Sequence, residues 1–200
     1  NPRSLSIWNI SEEKDLLKLK KEAGQSPAGL LLESDKLFAV SKDGKRIAFF
    51  DKKILTSKEA KRFFESGEFC VHDAKTIIHF LRASGIKLGA VNPDLAGKSG
   101  VKFDTMLAAY LTEGFSRDFS YGAIAARELG GLLASDIRDK SAHFFEIVAS
   151  LETKLTEGKL GRVFEEIELP LTRILADMEE RGITLDCEFL KKLSLKTGKE

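Results

Sequence analysis

Apolar residues in the last third of the chain recur at steps of three and four: Val163, Ile167, Leu171, Ile174 and Met178. That spacing puts side chains on one face of a helix and predicts a long amphipathic helix. Glu165, Glu166, Glu168, Asp177, Glu179, Glu180 and Arg181 flank the stripe with charge, and Gly182 supplies the stop. Pro170 falls inside the pattern, where it removes one ladder hydrogen bond and crowds a carbonyl, so the helix is expected to kink near Ile167 or to be two helices meeting there. Beyond Gly182, Ile183-Thr184-Leu185 reads as a short extended piece and Asp186 as the cap of another helix.

Earlier in the chain the period changes. Leu5 to Ile10 alternates apolar and polar, as a half-buried edge strand does, and Ser11 is placed to cap a helix carrying Leu16, Leu17 and Leu19. Ala28 to Leu32 is a short apolar run; Leu37 to Val40 and Arg46 to Phe50 flank an Asp43-Gly44 hairpin signal. Three adjacent antiparallel strands are expected here. Thr56-Ser57-Lys58-Glu59 has the form of a capping box opening a helix through Phe64. Phe69 to Val71 is then a strand that a helical crossover should make parallel to one of the first three. Asp73 caps a helix holding Ile77, Ile78 and Leu81; Asp104 starts another, and a third runs from Tyr121 to Leu129. Ile137, Ser141, Phe144, Val148, Leu151 and Leu155 mark one long core helix, separated by Gly158 and Gly161 from the last third.

Two hundred residues, 42% hydrophobic and 32% charged, suit an ordinary globular protein with a real core. No apolar run reaches the roughly 20 residues a membrane helix needs, and the polar start is unlike a signal peptide. A cytoplasmic monomer without membrane contact is expected. Cys70 and Cys187 have no metal-ligand spacing, and a net charge of +1 gives no overall field for nucleic acid, so any DNA contact must be local.

Glu168-x-Pro170-Leu171, Leu175, Met178-Glu179, Gly182-Ile183 and Leu185-Asp186 together resemble the segment that opens the polymerase domain of family A DNA polymerases, the bacterial DNA polymerase I family. Val71-His72-Asp73-Ala74-Lys75, Gly85-Ile86 and Phe103 to Leu111, in the element order above, resemble the 3′–5′ exonuclease domain that precedes that segment. The resemblance implies an α/β fold, a mixed α+β sheet of ribonuclease-H-like type, followed by long thumb-type helices. Residues 1–158 would form the exonuclease-like domain and 159–200 the start of the polymerase domain. Leu190 to Glu200 reads as cut off in mid-element.

Exonucleases of this kind use two metal ions held by converging carboxylates, and the motifs are depleted here. At the first, Glu33 and Asp35 form either a swapped carboxylate pair or, as favoured here, a tight turn between strands. At the second, Lys75 is retained, Ile77 stands where the family has an aspartate, and Asp73 reads as an N-cap. At the third, Ser135-Asp136-Ile137-Arg138-Asp139-Lys140 lacks the family's tyrosine, leaving Asp139 as a remnant; a one-residue shift puts Lys140 at the metal position. The chain itself is therefore expected to bind no metal or cofactor and to be a vestigial, inactive exonuclease-like domain supporting a DNA polymerase that uses Mg2+ elsewhere. An active proofreading exonuclease is the alternative. Lys14, Lys18, Lys20 and Lys21 on the first helix and Lys58, Lys61 and Arg62 on the next are the candidate contacts to the DNA backbone.

Overall fold

The computed structural model describes residues 6–23, 28–89, 100–114, 116–131 and 136–198. Its centre is a mixed sheet of β1 (Ser6–Ile10), β2 (Ala28–Glu33), β3 (Lys36–Val40), β4 (Arg46–Phe50), β5 (Glu68–Val71) and β6 (Gly100–Asp104), in the order β1-β4-β3-β2-β5-β6. The expected antiparallel trio is β2-β3-β4. β1 runs parallel to β4 at one edge, β5 parallel to β2, and β6 parallel to β5 at the other edge. The hairpin between β2 and β3 turns on Ser34 and Asp35, both at positive φ, the backbone of a two-residue turn whose twist matches that of its strands.

Helices cover both faces. Those before the last stretch are α1 (Glu13–Ala23), α2 (Lys58–Ser66), α3 (Ala74–Ala83), α4 (Thr105–Thr112), α5 (Tyr121–Leu129), α6 (Ile137–Ala142) and α7 (Phe144–Glu157). Period-two alternation sorts the strand residues between the layers. Leu30, Phe69 and Val71 pack with Leu16, Phe64, Ile77 and Leu81 of α1 to α3, whereas Leu31, Cys70 and Phe103 pack with Ala108, Ile124, Phe144 and Leu151 of α4, α5 and α7. The β2 run is apolar throughout because both faces are buried. A Cβ on Gly29 would stand 2.7 Å from the Phe144 ring, which is how closely α7 meets the sheet.

Three expectations need correcting. The cap of α2 is Ser57, whose hydroxyl accepts from Ala60 N at 3.1 Å, while Thr56 closes a 3-10 turn over Ile54–Thr56 by donating to the Lys53 carbonyl. The long core helix is two: at His143 the ring Nδ1 meets the Asp139 carbonyl at 3.0 Å, and the backbone N–H bonds Ser141 O instead, so the ladder breaks between α6 and α7.

The third correction concerns the last stretch, which forms α8 (Gly161–Val163), a π-turn (Phe164–Glu168), α9 (Leu169–Arg181) and α10 (Cys187–Thr197). The proline-induced irregularity is the π-turn: Leu169 N bonds Phe164 O, five residues back, and Pro170 sits in the first turn of α9, where a missing N–H costs little. Gly182 at φ 64 ends α9, and Asp186 caps α10 through Phe189 N. The buried face is not the apolar stripe. Thr172 and Ala176 are buried, whereas Ile167, Ile174 and Met178 are more than half exposed. Phe164 belongs to the α4/α7 layer and Ala176 to the α3 layer, so this stretch crosses from one face of the sheet to the other, with α9 in contact with the edge strand β6.

Candidate functional site

The C-terminal end of β2, the start of α3, α5 and α6 enclose a cleft of about 260 Å³ whose walls include Glu33, His72, Asp73, Thr76, Tyr121 and Lys140. Each arrives there for a local reason. Glu33 is the last residue of β2, just before the turn. Asp73 takes a left-handed conformation, φ 59, and caps α3, its carboxylate accepting from Thr76 N at 3.2 Å and from the Thr76 hydroxyl at 2.6 Å. Lys140 lies on α6, its ammonium bonded to Glu33 and its carbonyl accepting the Tyr121 hydroxyl at 2.6 Å.

Beneath the cleft lies a polar layer. Asp104 is 1% exposed, and its carboxylate receives Asp73 N at 3.1 Å, Ala74 N at 2.7 Å and Met106 N at 2.8 Å. One side chain thus satisfies donors at the starts of both α3 and α4. Burial pushes its pKa up to about 6 against the pull of these N–H groups. His72 Nδ1 lies 2.9 Å from the Thr105 hydroxyl, and its ring stands edge-on to Tyr121. Burial holds this imidazole down at about 4, with Asp73 opposing and Lys140 adding to the shift. The sequence reading assigned neither His72 nor Asp104 a place in this layer; an acid directly after an apolar strand and at a helix start was the available signal.

The sequence candidates scatter. Glu33, Asp73 and Lys140 share the cleft, but Asp35 is exposed at the tip of the β2–β3 turn and Asp139 is not among the cleft's lining residues. Ile77 is fully buried in the core; α3 brings Thr76 and its cap Asp73 to the cleft. Ser135 lies outside the described residues. Lys75 turns away to Glu179 of α9 at 2.8 Å. Among the described residues no group of three His, Cys, Asp or Glu side chains is placed to hold a metal ion. The donor set does not fit the two-metal arrangement. Of the basic candidates, Lys14 pairs with Glu12, Lys18 lies over the Trp8 ring, and Lys58 and Arg62 are exposed on α2; the Lys20 side chain lies outside the described residues. Cys70 is buried, its thiol pushed up to about 12, and Cys187 is exposed; both are free.

A second polar site joins α3 to α9. Lys75 and His79 share Glu179, and Arg82 bridges Asp177 and Glu180. Arg173 donates to the carbonyls of Leu88 and Gly89. Among the described residues no helix is long and apolar enough to cross a membrane.

No protein-family model matches the chain. Over 110 residues it is 34% identical to the thermostable DNA polymerase I of Thermus filiformis, a match that covers 53% of this chain and 13% of that protein. The POL domain of Pol1 from M. smegmatis, solved in complex with DNA primer-template and dNTP, superimposes with a TM-score of 0.78 at 23% identity, over 96% of this chain and 35% of that one. Brucella melitensis NrnC with bound Mg2+ superimposes with a TM-score of 0.56 at 12% identity, over 90% of this chain and 96% of that one. The mixed sheet with its surrounding helices is thus a fold shared with the Pol1 structure and with NrnC.

Proposed function

We propose that this chain, which is related to bacterial DNA polymerase I, serves as the nuclease-fold portion of such a polymerase and carries the first thumb-type helices without cleaving DNA itself. Residues 1–158 would be the exonuclease-like domain and 159–200 the start of the polymerase domain. The observation that carries this reading is the fate of the carboxylates. Glu33 is bonded to Lys140, Asp73 is spent on capping α3, Asp35 is exposed at the tip of the β2–β3 turn, and Asp139 is not among the residues that line the cleft. Hydrolysis through two cations needs several carboxylates converging on one point.

The supporting role rests on the α3–α9 contact, through which the nuclease fold would position the helices that follow. DNA would reach this part as substrate of the whole polymerase in the cytoplasm, with weak backbone contacts from Lys14, Lys18, Lys58, Lys61 and Arg62. Mg2+ would act in the polymerase domain, and the protein would work as a monomer. The test is degradation of a labelled single-stranded DNA 3′ end by the 200-residue chain with Mg2+ or Mn2+, beside an EDTA control. No metal-dependent shortening is expected. EDTA-sensitive shortening that falls in Glu33→Ala or Asp139→Ala would establish the alternative, an active 3′–5′ exonuclease.

A further inference from the structure

The mismatch between the cleft and a metal site has a chemical content of its own. Glu33 and Asp73 place two carboxylates on the walls of one cleft, with Glu33 about one-third exposed. A partly desolvated carboxylate such as that of Glu33 is stabilised by a cation. The cation here is Lys140. Its side chain is 22% exposed, its ammonium bonds Glu33, and its backbone carbonyl is held by the buried Tyr121 hydroxyl at 2.6 Å. Both ends of the residue are fixed, and an ammonium is a compact point charge with three donors.

We propose that Lys140 is a tethered cation: it permanently fills the place in this cleft that a dissociable divalent ion would take, so that this end of the sheet is held together without metal. The inference rests on the reading of a non-cleaving nuclease fold and deepens it, because it assigns the change to one positioning residue. It implies that the remaining oxygen ligands stay in place and that vacating the ammonium uncovers a site for a hard cation. Glu33 and Asp73 would supply carboxylates, with a third from residue 140 when it is made acidic.

The experiment titrates Mn2+ by electron paramagnetic resonance into the full 200-residue chain and into Lys140→Asp, Lys140→Ser, Lys140→Arg and the double variant Glu33→Gln/Lys140→Asp. Far-UV circular dichroism checks folding in each case. Lys140→Asp should bind Mn2+ at least about tenfold more tightly than the unaltered chain, in line with an added carboxylate ligand. The gain should vanish in the double variant, and Lys140→Arg, which keeps a tethered charge, should show none. If Lys140→Asp folds only with Mn2+, the proposal is supported; if it does not fold at all, Lys140→Ser decides by the same gain. Folded Lys140→Asp and Lys140→Ser that bind no more tightly than the unaltered chain would overturn this inference and leave the non-cleaving reading standing. Tight Mn2+ binding by the unaltered chain that Glu33→Gln removes would overturn both.

Discussion

His72 and Asp104 lie together under the cleft and titrate in overlapping ranges with opposite effects. His72 has an ordinary pKa of 6.5 and a folded one of about 4. Between these values the unfolded chain binds more protons, so this group's contribution to stability falls as pH drops from 6.5 to 4, by roughly 3 kcal/mol in all. Asp104 is raised from 3.8 to about 6. The folded chain then binds more protons, and its contribution is fully present at the acid end and lost as pH rises through 6. The stability difference between the unaltered chain and His72→Gln, measured by urea unfolding, should therefore shrink steadily from pH 6.5 to pH 4. Asp104→Ala should cost about 3 kcal/mol, because it leaves the N–H groups of Asp73, Ala74 and Met106 without their acceptor; thermal unfolding checks it. The sequence showed Asp104 as a helix start but not its second duty to α3, which depends on β5 and β6 being neighbours. Glu33 was legible as a turn-edge acid and Lys140 as the residue that a one-residue shift puts at the metal position, yet their bond joins residues far apart in the chain.

At the scale of elements, α9 shows where reading one sequence by its own hydrophobicity misleads. Its apolar stripe is correctly helical in period, and Gly182 and Asp186 end and restart the helix as expected. The face that packs within this chain is the other one, because α3 offers Lys75, His79 and Arg82, and charged side chains on α9 answer them around the small Ala176. The strands were easier to read, since alternation and turn residues act over a few positions. The bond to Arg82 holds Asp177 below its usual range, and the bonds to Lys75 and His79 do the same for Glu179. These groups stabilise the contact above the ordinary carboxylate values of 3.8 and 4.5, and that contribution is lost as pH falls below them. Amide exchange over residues 169–181 should accelerate in acid and at high salt. Arg82→Glu should produce the same acceleration at neutral pH while the amides of β2 and β5 stay protected.

For the whole molecule, the exposed apolar residues are concentrated at its C-terminal end. Every described residue from Arg181 to Gly198 is exposed, including Ile183, Leu185, Phe189 and Leu195. α10 therefore adds almost nothing to the stability of the sheet and its two layers. Ending the chain after Gly182 should shift the melting temperature by less than about 1 °C, since a contribution of a few tenths of a kcal/mol moves it no further in a protein of this size. Scanning calorimetry of the two lengths would show it.

α3 has its first turn at the cleft, through Asp73 and Thr76, and its flank against α9, through Lys75, His79 and Arg82. It is a rigid rod of 10 residues with a handle on its side and a pointer at its end. Long charged side chains grip the handle, while two backbone hydrogen bonds from Asp73 and Ala74 to the buried Asp104 carboxylate fix the pivot. A sideways pull on α9 would therefore be borne, through α3, by the hydrogen bonds that tie its first turn to Asp104.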